Sequence, residues 1–281
     1  MTGVAARRSD RSTAYRALVM VVLSLGCVST AGTASAAGSA DDRGAPDVAA
    51  VDAFVEGRLD ATDLRGVAVA LVHGREVVHV RGYGTDSAGV PVTGDTPFRV
   101  ASVSKSFTAL AVMQLVERGS VRLDEPVRTY LPGFRTSDRR SDRISVRQLL
   151  DQTSGMADTG FPEVSLPQPD TLAGAVERLR AARLVADPGT TWNYHNPNYQ
   201  VAARLVEVVS GETFAGYVQR HIFGPLAMDR SSSTATDDEA VPGLADGHSS
   251  AYGRAVPCPG RATSSRARAG SSARLRTWRG G

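Results

Sequence analysis

Ser102 and Lys105 stand three residues apart in the run Ala101-Ser102-Val103-Ser104-Lys105-Ser106-Phe107-Thr108. Of the 32 Lys and Arg residues in the chain, Lys105 alone is a lysine. GC-rich coding favours arginine codons, so a single retained amine points to a task that arginine cannot perform. Arginine stays protonated at any working pH, whereas a buried lysine can release its proton and act as a base. Ser-x-x-Lys is a nucleophile–base spacing. The pattern is short and matches often by chance, but the scarcity of lysine and the flanking residues favour a catalytic reading.

The elements around this pair are predicted to present it. The segment 96–100 reads as a short extended piece leading to Ser102. From 104 to 118, Phe107, Leu110, Ala111 and Leu115 follow helical spacing. Val112, Met113 and Val116 widen that face, which predicts a well-buried helix ended by Gly119. Ser102 then lies where a strand or loop feeds a helix, with Lys105 one turn on and on the same face. The helix N-terminus adds favourable partial charge near a developing anion. Upstream, 48–58 is predicted as a helix. Segments 67–73 and 76–81 form a predicted β-hairpin around the tight turn Gly74-Arg75. Further helices are predicted over 146–152, 171–182, 198–210 (closed by Gly211) and 213–222. His73 and His79 alternate with apolar residues and read as hairpin surface. Ser104 reads as a helix-start residue, and Ser154-Gly155 as a turn.

Composition bounds the function class. The formal charge of +3 is uneven. Residues 1–36 carry Arg7, Arg8, Arg11 and Arg16 against Asp10, and 257–281 carry only arginine among charged residues, so the middle of the chain is acidic. No basic stripe with interleaved aromatics occurs there, so no nucleic-acid partner is expected. A basic stretch, an apolar run over 17–26 and Ala34-Ser35-Ala36 fit an export signal over 1–36 with an A-x-A cleavage site. The run is short for a transmembrane span, so no stable membrane span is expected after cleavage. Residues 37–47 read as a linker. The two cysteines, Cys27 and Cys258, leave one thiol after cleavage and cannot build a cysteine-based zinc site. The histidines show no metal-ligand spacing, and neither a metal nor another cofactor is expected.

Several motifs together carry a resemblance. Ser102-Val103-Ser104-Lys105 is similar to the first motif of the serine β-lactamase and penicillin-recognising family. Thr96-Pro97-Phe98-Arg99-Val100-Ala101, Leu123-Asp124-Glu125-Pro126-Val127 and Tyr130-Leu131-Pro132 resemble its branch of class C β-lactamases, D-Ala-D-Ala carboxypeptidases and related esterases. So does Leu149-Leu150-Asp151-Gln152-Thr153-Ser154-Gly155, although that branch often has His where this chain has Gln152. The branch's second motif, Tyr-x-Asn, looks like Tyr194-His195-Asn196 within Trp192-Asn193-Tyr194-His195-Asn196-Pro197-Asn198-Tyr199. The resemblance spans roughly 50–250.

It implies an α/β (α+β) fold of the β-lactamase/transpeptidase type, an antiparallel sheet flanked by helices with a helical subdomain. It implies Ser102 as nucleophile, Lys105 as cation and proton partner, and Tyr194 as general base. Asn196 would bind Lys105 and the substrate amide. A serine hydroxyl is a weak nucleophile, and a tyrosinate kept ionised by an adjacent lysine can take its proton and later pass it to a leaving group. His195 is expected to be an exposed bystander, because the family's middle position varies. The implied activity is that of an exported serine hydrolase acting on a D-Ala-D-Ala-type peptide, a β-lactam or an ester. A non-catalytic cell-wall-peptide- or penicillin-binding protein is the alternative. Oligomeric state is not legible.

The family's third motif, Lys-Thr-Gly or His-x-Gly on a late strand, has no match: Gly247-His248-Ser249 lacks the context, and nothing after Ala251 reads as a strand. The domain over 48–256 is therefore expected to lack its C-terminal strands. Residues 257–281 read as a disordered basic tail or, preferably, as sequence out of frame on a truncated chain. Such a chain is expected to fold poorly or be inactive, since loss of one oxyanion donor alone costs ~10²–10³ in rate.

Overall fold

The structure, a computed structural model, describes residues 47–166, 169, 171–234, 241–251, 254–257 and 270–273. The expected export signal (1–36), nearly all of the expected linker and most of the expected tail lie outside the described residues.

Asp47 caps the first helix, α1 (Val48–Asp60), by accepting from the Ala50 N–H at 3.0 Å. The hairpin follows as β1 (Gly66–His73) and β2 (Glu76–Gly84), antiparallel, with Gly74 at φ 62° in the turn. Helix α1 buries no side chain and is held to β2 by charge. Asp52 accepts from Arg81 at 2.5 Å, from His79 at 2.9 Å and from the Tyr83 hydroxyl. The Tyr83 hydrogen bond, then Arg81, hold the Asp52 carboxyl below the usual carboxylate range. His79 is thus a partner in a half-buried cluster, which corrects its reading as plain surface; His73 is exposed. His79 pairs with Leu71, which shares a face of β1 with His73, so strand alternation alone does not separate the two and the proximity of α1 decides which of them is covered.

Strand β3 (Phe98–Arg99) and a 3₁₀ turn (Ala101–Val103) lead into α2 (Ser104–Glu117). Next come α3 (Val146–Leu150), which starts on a capping box between Ser145 and Gln148, and α4 (Leu172–Arg178), which tightens to 3₁₀ over Leu179–Ala181. Helix α5 (Asn196–Ser210) has Pro197 in its first turn, where a missing N–H costs nothing, and ends on Gly211 at φ 74°. Helix α6 (Phe214–Val218) widens into a π turn over Gln219–Phe223.

The core sits in this helical region. Helix α5 supplies Val201, Ala202, Ala203, Leu205 and Val206, all fully buried. Helix α2 meets it with Ala111, Val112 and Leu115, and the Phe107 ring packs edge-on to Phe223 at 5.3 Å. The buried stripe of α2 also contains Ser104 and Thr108, so it is rotated from the predicted one: Leu110 and Met113 are each 42% exposed.

Strands β4 (Ser231–Thr234), β5 (His248–Ala251), β6 (Arg254–Pro257) and β7 (Gly270–Ala273) complete the described elements. The described strands form three sheets, ordered β1-β2, β3-β7-β4 and β5-β6. The expectation that no strand follows Ala251 is therefore corrected. Arg254–Pro257 pairs with β5, and Gly270–Ala273 lies antiparallel between β3 and β4. Periodicity missed both because strands of only four residues carry too short an apolar pattern and owe their pairing to neighbouring backbone.

The contrast within the apolar residues is measurable. Leu205→Ala should cost about 2–5 kcal/mol and Leu110→Ala less than about 1 kcal/mol, because only the first leaves a cavity. Thermal or denaturant unfolding of the two variants checks the difference.

Candidate active site

Ser102 lies on the 3₁₀ turn between β3 and α2, and Lys105 lies in the first turn of α2. Ala101, just before Ser102, has φ 45°, a left-handed conformation that a non-glycine residue adopts only when its surroundings enforce it. Ser102 is thereby exposed at the N-terminal end of a helix, where the macrodipole favours negative charge. Tyr194 comes from the loop before α5, and Asn196 is the first residue of that helix.

These side chains form one continuous hydrogen-bonded chain. Lys105 Nζ donates to Asn196 Oδ1 at 2.9 Å and to Ser102 Oγ at 3.2 Å. Ser102 Oγ and Tyr194 Oη share a hydrogen bond of 2.6 Å that either oxygen can donate. Lys105 Nζ also lies 4.9 Å from the centre of the Tyr194 ring and 5.8 Å from that of Tyr199. The structure thus brings together all four residues singled out in the sequence. Behind Lys105 a small cavity is lined by Thr108, Asn196, Tyr199 and Gln200. Burial raises the phenol pKa of Tyr199, whose hydroxyl donates to the Leu150 carbonyl at 2.8 Å.

The arrangement can run acyl transfer. Ser102 Oγ can pass its proton across one hydrogen bond to Tyr194 in its phenolate form while the Lys105 cation balances the negative charge. Among the described residues, no three His, Cys, Asp or Glu side chains gather as metal ligands. No described helix is long and apolar enough to cross a membrane.

His195 departs from expectation. It is fully buried, and its Nε2 donates to the Phe161 carbonyl at 3.1 Å. Its neighbours Tyr194 and Asn196 face the site, so the chain turns His195 into the protein interior. Burial lowers its pKa from the ordinary histidine value. Beneath it lies a polar layer of residues that belong to the family-like runs but to which the sequence assigned no joint role. Ser154 Oγ donates to Asn198 Oδ1 at 2.7 Å, and Asn198 Nδ2 donates to Gln152 Oε1 at 2.6 Å. Ser154 is thus a buried partner as well as part of a turn. Its signal in the sequence was limited to polar residues beside Gly155. His248 belongs elsewhere: its Nε2 donates to the Asp63 carbonyl at 3.0 Å.

A neutral buried His195 links stability to pH. Its folded pKa is lowered, so as pH falls below about 6.5 the unfolded chain takes up a proton that the folded chain refuses. Stability should drop on acidification from that point, by up to roughly 1.4 kcal/mol per pH unit from this group. Unfolding midpoints at pH 7.5, 6.5 and 5.5 should show the decline, and His195→Gln should flatten it.

Known proteins share this arrangement of elements. The chain is 34% identical over 189 residues to penicillin-binding protein 4 of Amycolatopsis lactamdurans, an alignment that covers 65% of this chain and 44% of that protein. The octameric penicillin-binding protein homologue from Pyrococcus abyssi superposes with a TM-score of 0.69 at 28% identity, covering 82% of this chain and 54% of that one. EstCE1, a hydrolase with promiscuous acyltransferase activity, superposes with a TM-score of 0.64 at 25% identity, covering 74% and 58%. The chain spans less than half the length of the curated relatives it matches. The Beta-lactamase family model matches residues 51–277. With that match, and with the fold of its structural neighbours, the chain belongs to the Beta-lactamase family of serine hydrolases and has the β-lactamase/transpeptidase-like fold.

Proposed function

We propose that this chain is an exported serine hydrolase that forms an acyl-enzyme on Ser102. The observation that carries the reading is the unbroken chain Asn196–Lys105–Ser102–Tyr194. Ser102 Oγ attacks a carbonyl carbon as its proton moves to Tyr194 Oη, which enters the step as the phenolate and leaves it as the phenol. Lys105 donates to the Ser102 oxygen, lies against the Tyr194 ring and offsets the negative charge, and Asn196 holds Lys105 in place. The tetrahedral species collapses when the carbon–leaving-group bond breaks and Tyr194 returns the proton to the departing nitrogen or oxygen. Water then gives a proton to Tyr194 and attacks the ester carbonyl. The bond between the acyl carbon and Ser102 Oγ then breaks, which frees the acid, and Tyr194 passes its proton to Ser102 Oγ to restore the hydroxyl.

The proposed substrates are amides of the D-Ala-D-Ala type, β-lactams or esters. The relatives named for penicillin binding support the first two, and the hydrolase with acyltransferase activity supports the third. The sequence over 1–36 supports export, which puts such substrates within reach outside the cytoplasm.

A fluorescent penicillin and a fluorophosphonate should each label the full chain covalently, and Ser102→Ala should abolish labelling. Tyr194→Phe should slow it by about 10²–10⁴ and leave the fold intact. Mass spectrometry of the adduct and a panel of ester, D-Ala-D-Ala and β-lactam substrates rank the activities. Labelling without measurable turnover would mark an impaired chain. Saturable penicillin binding with no adduct would replace the hydrolase with a non-catalytic penicillin- or cell-wall-peptide-binding protein.

A further inference from the structure

We propose that Gln152 is a positioning residue that fixes the Tyr194 oxygen against Ser102. It does so by gripping the main chain on both sides of Tyr194. The inference rests on the role proposed above for Tyr194 and concerns a residue outside the reacting chain.

The grip has two arms. The Gln152 carbonyl accepts from the Asn193 N–H at 2.9 Å, and its side-chain Oε1 accepts from the His195 N–H at 3.0 Å. Residues 193 and 195 flank Tyr194, so one residue holds the main chain on both sides of it. Oε1 takes a second donor, Asn198 Nδ2, at 2.6 Å. Asn198 stands in the first turn of α5 and is itself held by Ser154 Oγ. Gln152 therefore couples the Tyr194 loop to the helix that begins with Asn196, the Lys105 partner.

Two features show that the position is built for this task. Gln152 has φ 66°, a left-handed conformation uncommon for any residue but glycine, and its side chain is only 6% exposed. That backbone sends the carbonyl and the side chain toward the same loop. The second feature lies in the side chain itself. Its Nε2 has no hydrogen-bond partner, although it is buried. The backbone N–H of His195 can only donate, so it identifies the atom facing it as the oxygen. The residue is held for its acceptor oxygen, and its amide nitrogen contributes nothing to the grip.

The chemistry of the position follows from lone pairs. An amide or carboxylate oxygen can accept two donors at once, whereas a neutral imidazole offers one acceptor nitrogen. Histidine here could satisfy His195 N–H or Asn198 Nδ2 but not both. Methionine fills the same space and satisfies neither.

The test uses the full chain and two readouts. The first is the fluorophosphonate labelling rate of Ser102, resolved into a saturating rate constant and a probe affinity. Gln152→Met should lower the rate constant by about 10- to 100-fold, because a displacement of about 1 Å at a reacting group has that effect, and should leave probe affinity within about twofold. Gln152→Glu keeps the acceptor oxygen and should recover most of the loss. The second readout is the ¹³Cζ resonance of Tyr194, assigned through Tyr194→Phe, which reports the phenol's position without any turnover. It should move in Gln152→Met and return in Gln152→Glu.

An unmoved Tyr194 resonance in Gln152→Met overturns the proposal, whatever happens to the rate. So does wild-type labelling by that variant. Failure of the wild-type chain to label would remove the hydrolase reading instead, and the resonance alone would then decide the grip. If Gln152→Met lacks a cooperative unfolding transition, Gln152→His takes its place. A partial loss in both readouts supports the grip, and wild-type values overturn it.

Discussion

A hydroxyl on residue 102 and a phenol on residue 194 share one hydrogen bond of 2.6 Å. Neither segment can place its oxygen alone. Ser102 is carried by α2 and Tyr194 by the entry to α5, so their distance is set by how those two helices pack. Side chains of α2 (Ala111, Val112 and Leu115) lie in one core with those of α5 (Val201, Ala202, Leu205 and Val206). Small residues on α5 allow close approach, and the apolar seam provides most of the driving force for contact. Lys105 then finds Asn196 because both stand at the N-terminal ends of the two packed helices.

The apolar seam sets the helices, but it cannot set a phenol to within a few tenths of an ångström. That precision comes from the polar layer around Gln152, Ser154, His195 and Asn198. Each of these residues is buried, and each makes a hydrogen bond that leaving water obliges it to make. Buried polar groups cost stability when unpaired, so the layer has few alternative arrangements. The left-handed backbone at Ala101 and at Gln152 has the same meaning. Of the three left-handed non-glycine residues among those described, these two stand on either side of the reacting pair, and the third, Ala227, lies outside it.

The sheet regions have a different physical character. The β1–β2 hairpin is joined to α1 by the Asp52 cluster rather than by a buried apolar layer. Its stability depends on charge and hydrogen bonding near solvent, where salt screens the charges. The short strand β7 lies beside β3, two residues before the turn that carries Ser102, so backbone pairing there bears directly on the position of the nucleophile's turn.

Much of this was legible in the residues. The amphipathic spacing after Ser104 located α2, Gly74-Arg75 located the hairpin turn, and Gly211 located the end of α5. Ser102 and Lys105 were legible from a lone lysine three residues after a serine, and Tyr194 and Asn196 only from the resemblance of Tyr194-His195-Asn196 to a family motif. Local spacing carries information only along the chain. It could not reveal that His195 points inward, that His79 meets Asp52, that Leu110 and Met113 turn away from the core, or that strands form after Ala251. Each of those depends on a neighbour far away in sequence, and burial is a property of that neighbour as much as of the residue itself. The sequence by itself determined which groups could react and the helix on which the serine and the lysine would share a face. Only the tertiary structure decided that the oxygen of a tyrosine 92 positions away comes within hydrogen-bonding distance of Ser102, because the packing of α2 against α5 creates that contact.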